Sequence, residues 1–180
     1  MVPPDDIKPT EKRQGFRGNR HRMGGDRNLK PREPAITTPR WPPEAAAQTK
    51  RRVLFVCIGN SCRSQMAEAF ARAYGSDIMA AQSAGLSPAT IIAPLTKQVL
   101  AERNLNIDDH FPKGVEVFAR EPFDVVVNMS GHPLSLPNAR MLTWPVRDPI
   151  GESEAVYRGV VQQIEGLVMG LILNLRNKQI

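Results

Sequence analysis

The sequence predicts an α/β fold, a three-layer sandwich around a central, mostly parallel four-stranded sheet, and three observations carry that expectation. Val53-Leu-Phe-Val56 and the FDVVVNM run at 123–129 are short apolar stretches without the period-two alternation of a half-exposed strand, so each suits a strand covered on both faces. Elsewhere apolar residues recur three or four apart, as on a helix with one buried face. Strand and helix signals alternate along the chain, which is the pattern of a parallel sheet with crossover helices.

Each element has its own local warrant. The first strand ends at Gly59-Asn60, and Met66, Ala67, Ala69, Phe70, Ala73 and Tyr74 then recur at helical spacing up to Gly75, a natural helix stop. Residues 78–83 read as a weaker strand closed by Gly85 and Pro88. Leu95, Val99, Leu100 and Arg103 mark a helix that opens near Pro94 and ends at Asn104–Asn106. Residues 114–120 suit another short helix, 123–129 the third strand, and 140–144 a fourth, closed by Pro145 and Pro149. From about Glu152, Val156, Val160, Ile164, Leu167, Leu171 and Leu175 form the stripe of a final amphipathic helix, most simply a core face. No internal repeat is present, and one domain is expected over 51–180.

The preceding segment is chemically different. Residues 1–52 hold 13 of the 24 Lys and Arg and 6 of the 18 Asp and Glu, a net of +7; the remaining residues carry 11 − 12 = −1. Eight prolines, four glycines and no long apolar run make residues 1–50 a basic tail that cannot offset its ordering entropy and is expected to be disordered. It lacks the uninterrupted apolar stretch of a secretory signal, and Asp5, Asp6 and Glu11 sit badly in a transit peptide, so a cytoplasmic protein is expected. Its arginines can touch acidic partners by charge, but Phe16 and Trp41 alone give no stacking platform, and specific nucleic-acid binding is not expected. No window reaches the roughly 18 consecutive apolar residues of a membrane span; the longest candidate, Leu167–Leu173, contains Gly170.

The chemistry concentrates in CIGNSCRS, residues 57–64. Two cysteines in a chain of this kind argue against a disulfide framework. Zinc is disfavoured because Cys57 and Cys62 have no second ligand pair at finger spacing and His21, His110 and His132 are scattered. A seven-residue passage from strand end to helix start leaves backbone N–H groups free to converge, and the helix adds its positive end: an anion site formed by Ile58, Gly59, Asn60, Ser61, Cys62, Arg63 and Ser64. Gly59 and Asn60 tolerate the positive φ a concave loop needs. Arg63 offers a planar fork to two oxygens of a tetrahedral anion. A thiol at the strand end feels the same field, which favours its thiolate, so Cys57 is the expected in-line nucleophile and Ser64 a hydroxyl donor to its sulfur. Asp148, stiffened by Pro149, is the expected general acid for the leaving oxygen and base for the attacking water. Inert cysteines in a turn are the competing reading, and the surrounding strand, glycine, hydroxyl, helix and Asp-Pro weigh against it.

These residues resemble the low-molecular-weight protein tyrosine phosphatases and the related thioredoxin-coupled arsenate reductases, through VLFVCIGNSCRSQMAEAF, SAGLSP, FDVVVNMS and WPVRDP over roughly residues 52–175. The resemblance implies a low-molecular-weight phosphatase-like fold, Cys57 as nucleophile, Arg63 as phosphate-binding arginine, Asn60 and Ser64 as loop-ordering and thiolate-stabilising residues, and Asp148 as general acid. It also implies that Cys62 is the second loop cysteine, which in some members forms a reversible disulfide with the nucleophile; simple packing is its other reading. Two departures stand out. The arsenate-reductase branch, whose GNSCRSQMAE and SAGLSP this chain shares, relays oxidation through cysteines just past the third strand, where this chain has Met129 and SGHPLSLP. Phosphotyrosine-specific members place aromatic residues after the Asp-Pro, where this chain has DPIGES.

The leading expectation is hydrolysis of a phosphomonoester, on a phosphorylated protein or a small molecule, through a phosphocysteine intermediate and with no cofactor. Arsenate reduction with an external thiol is the alternative, and a non-catalytic phosphoprotein-binding module is the third.

Overall fold

The computed structural model describes residues 49–179, so all but Thr49 and Lys50 of the expected tail lies outside the described residues. The chain runs β1 (Arg51–Cys57), α1 (Arg63–Gly75), β2 (Met79–Gly85), α2 (Pro94–Ala101), a 3₁₀ turn η1 (Val115–Phe118), β3 (Val125–Asn128), β4 (Arg140–Thr143) and α3 (Glu154–Arg176). The strands form one sheet in the order β2-β1-β3-β4 with every pairing parallel. Val53 of β1 faces Ala81 on one side and Val125 on the other.

Central placement explains the unalternated apolar run of β1. Val53, Phe55 and Cys57 point into a core shared with all three α-helices, whereas Leu54 and Val56 point into a second cluster with Ala84, Phe118, Phe123 and Val126. Burying each larger side chain stabilises the fold by roughly 1.5–3 kcal/mol. The two outer layers are unequal. α1, α2 and α3 contribute to one, with α1 packed between the sheet and α3. The other consists of η1 and loop residues such as Leu86, Leu134 and Leu136, closed by an edge-on contact of Phe118 with Phe123 at 5.6 Å.

Boundaries differ from the sequence expectation where backbone geometry intervenes. Asn104 takes a positive φ of 58° and α2 stops at Ala101; Gly151, at 82°, turns the chain before α3 begins at Glu154. The helix expected over 114–120 shrinks to the four residues of η1. α3 is also, among the described residues, the one helix long and apolar enough by composition to cross a membrane, with a mean hydropathy of 1.2. That average tolerates isolated polar residues, which the contiguous-run criterion does not. Its apolar stripe, Tyr157, Val160, Val161, Ile164, Val168, Leu171, Ile172 and Leu175, is spent on the core.

The order β2-β1-β3-β4 reverses direction at β1, and a crevice opens beyond its carboxyl end, where ligands bind in open parallel sheets. Residues 57–64 occupy that point.

Candidate active site

The loop after β1 is turned inside out relative to an ordinary turn. Its carbonyls face away from the centre: those of Cys57, Ile58, Gly59 and Ser61 accept the N–H groups of Leu86, Ser87, Ala89 and Ala93, at 2.9–3.1 Å. The Asn60 carbonyl accepts from Gln65 Nε2 at 3.0 Å, and Thr96 Oγ1 adds a second bond to Ser61 O. With the oxygens held outward, the amide hydrogens face in, and among the described residues no backbone carbonyl accepts from the N–H groups of 58–64. α1 starts at Arg63 with no side-chain cap, so its first-turn N–H groups join the same concavity. Asn60 supplies the bend, at φ 47°.

β2 sets how closely the loop can approach. A Cβ on Gly85 would lie 2.6 Å from Ile58 O and 2.8 Å from Asn60 N, both backbone atoms that cannot step aside. Gly85 is therefore a site-forming residue, visible in the sequence only as the glycine closing the second strand.

Behind the loop runs a buried polar chain whose direction follows from donor counting. Asn60 Oδ1 accepts the Lys113 N–H at 2.8 Å, which fixes the amide orientation, and Nδ2 donates to both Ser64 Oγ and Ser83 Oγ at 2.8 Å. Ser83 in turn donates to Glu68. Ser64 Oγ thus receives a hydrogen from Asn60 and keeps its own for Cys57 Sγ, 3.0 Å away. Glu68 is fully buried, paired with Arg72 and with Lys113 Nζ at 3.6 Å, a charged arrangement that burial requires. Gln65 is oriented by His110: Arg72 can only donate, so His110 Nε2 accepts from it at 3.2 Å and Nδ1–H donates to Gln65 Oε1 at 2.9 Å. Burial lowers the His110 pKa, consistent with this neutral tautomer. Sequence reasoning missed Ser83, Glu68 and Lys113; a carboxylate between Ala67 and Ala69 on a buried helix was the available signal.

Arg63, 4% exposed, is tied down at one end. Nη1 donates to Met129 O at 2.6 Å and Val146 O at 3.1 Å, and Nη2 to Asp148, while Nε has no partner. Asp148 also accepts the Ile150 N–H at 3.3 Å. Cys57, Arg63 and Asp148, 91 residues apart in sequence from first to last, thus share one cleft of about 240 Å³ lined also by Ile58, Gly59, Ser61, Cys62, Ala89 and Ile150. Asn60 and Ser64 stand behind it. Larger clefts occur along 97–108 and between β4 and α3, about 460 and 440 Å³, but neither contains a nucleophile.

The two cysteines differ. Cys62 is buried beside Tyr157, and burial pushes its thiol up to about 12, with Cys57 and Asp148 adding to the rise and a hydrogen bond with Thr96 and the Arg63 charge opposing it. Tyr157 is likewise pushed up to about 12, chiefly by burial. Cys62 is a neutral thiol packed under the loop at neutral pH. Among the described residues no three His, Cys, Asp or Glu side chains cluster as a metal site.

The sequence model of the low molecular weight phosphotyrosine protein phosphatase family matches residues 52–180. The chain belongs to this family. A member described as glutaredoxin arsenate reductase, from Synechocystis, is 34% identical over 127 residues, covering 68% of this chain and 96% of its own. The solved structure of an arsenate reductase in the phosphate-binding state superposes with a TM-score of 0.64 at 33% identity, over 69% of this chain and 98% of that one. An arginine phosphatase from Geobacillus stearothermophilus superposes at 0.62 with 26% identity, over 72% and 95%. Family and relatives are enzymes, and the fold is the one the family shares.

Proposed function

We propose that the protein reduces arsenate to arsenite with an external thiol, which reverses the order in which sequence alone ranks hydrolysis and reduction. The lining of the cleft carries the proposal. With a volume of about 240 Å³ beside Cys57 and walls that include Ile58, Ala89 and Ile150, it suits a bare tetrahedral oxyanion and presents no aromatic ring to stack on a phosphotyrosine. The similarity to arsenate reductases supports the same reading.

In the proposed reaction the oxyanion sits on the inward N–H groups of the loop and on the Nε–Nη2 side of Arg63. Cys57 Sγ attacks arsenic, an As–O bond breaks, and Asp148 protonates the departing oxygen as water. An external thiol then attacks Cys57 Sγ. The S–As electron pair stays on arsenic, which falls from As(V) to As(III) and leaves as arsenite, while the two sulfurs are oxidised to a mixed disulfide. A second thiol displaces Cys57 and restores it. Burial pushes the Cys62 thiol up and so disfavours it as the attacking thiolate, and no cysteine follows it in the sequence, which supports a second sulfur from outside. A glutathione- or glutaredoxin-type thiol is the proposed reductant, by analogy with the Synechocystis relative, and a reducing cytoplasm would provide it.

Hydrolysis of a phosphomonoester is the second reading, supported by the family and by the intact Asp148 opposite Cys57. Purified protein assayed in parallel separates the two: arsenite formed only when thiol is added supports reduction, whereas steady turnover of an aryl or arginine phosphate with no thiol-dependent arsenite overturns it.

A further inference from the structure

Arg63 is largely engaged before any ligand arrives. Its guanidinium has five N–H donors. Bonds to Met129 O and Val146 O use both hydrogens of Nη1, and Asp148 uses one of Nη2. Only the buried Nε–H lacks a partner, so an oxyanion that is to be gripped by both Nε and Nη2 must take the Nη2 side that Asp148 holds. The Asp148 carboxylate lies in the wall of the very cleft that contains Cys57, held by Arg63 and by the Ile150 N–H. It already neutralises the one buried cation of the loop, and an arriving anion meets a like charge at the guanidinium.

We propose that Asp148 is an affinity-determining residue, an internal competitor for Arg63 whose ion pair and oxyanion binding exclude one another. Binding exchanges a carboxylate for a tetrahedral anion on the Nε–Nη2 edge and frees Asp148 to meet the leaving oxygen. This role is separate from proton delivery. It rests on oxyanion binding by the loop and is indifferent to what becomes of the adduct, so it stands or falls apart from arsenate reduction.

Calorimetric titration of the full-length protein with inorganic phosphate tests it. D148N and D148A are expected to bind phosphate about tenfold more tightly than the unmodified protein, the size of one like charge removed at short range in a partly exposed site. E152Q, which removes a negative charge from the same loop without touching Arg63, is expected to leave binding nearly unchanged. Equal or weaker binding by the Asp148 variants, or an equal gain in E152Q, overturns the proposal. Should the Asp148 variants fail to fold, crystals of the unmodified protein with and without phosphate decide: the carboxylate leaves Nη2 when phosphate is bound, and an ion pair of unchanged geometry in both overturns it.

Discussion

The loop after β1 and the loop after β4 face each other across one cleft, yet they are built differently. The first is over-determined: outward carbonyl bonds fix its backbone, Asn60 and Ser64 are fully buried, and Gly85 seals its back. The second carries Asp148 with its side chain 39% exposed, held by Arg63 and one backbone amide. The proposed nucleophile and anion cradle are fixed from several sides, whereas the proposed acid is partly exposed and held at two points. In the proposed reaction the rigid cradle would stabilise the developing charge and the less constrained Asp148 would move the proton.

Breaking the rigid side is expected to have the largest effect. Cys57→Ser removes the sulfur that bonds to the substrate atom, and turnover of arsenate and of aryl phosphate should fall by roughly 10⁴-fold or more with the fold intact by circular dichroism. On the Asp148 side, Asp148→Asn should lower kcat by about 10²-fold through lost proton transfer, while oxyanion binding tightens as described above. Gly85→Ala tests the seal: a methyl group within 2.6 Å of Ile58 O must push the loop outward, costing about 1–3 kcal/mol in chemical denaturation and weakening phosphate binding. The smallest effect is expected at Cys62. Cys62→Ala should leave arsenate turnover close to that of the unmodified protein. In the latter, alkylation at pH 9 followed by mass spectrometry should label Cys57 and spare Cys62, because a thiol pushed up to about 12 is only about 0.1% thiolate three pH units lower. Labelling of both at comparable rates would contradict the packing of Cys62 described above.

The same contrast governs how much was legible in the sequence. β1 and β3 follow from short unalternated apolar runs, α1 and α3 from apolar residues three or four apart, and the Cys57-to-Ser64 loop from a glycine, an asparagine and a fork-shaped cation between a strand and a helix. Asp148 was placed by topology, since β4 runs parallel to β1 and must end on the same edge. The buried chain through Ser83, Glu68 and Lys113 was not legible, because it depends on pairing register: Phe55 opposite Ser83 brings a hydroxyl of β2 beside a carboxylate of α1. The Arg63–Asp148 ion pair is equally a product of tertiary placement, bridging 85 residues. A layer on each side of the sheet was expected, but that one of them consists largely of loop residues was not legible, because hydrophobics such as Leu134 and Leu136 have no period to read.

The most direct test of the proposed chemistry is to trap its middle step. Reduced protein is incubated with arsenate and glutathione, quenched in acid, and mapped by mass spectrometry while released arsenic is speciated. The proposed reaction predicts one glutathione in disulfide linkage at Cys57, none at Cys62, and at least one arsenite released for each adduct trapped. No adduct and no arsenite, in a preparation that hydrolyses an aryl phosphate steadily, would contradict it.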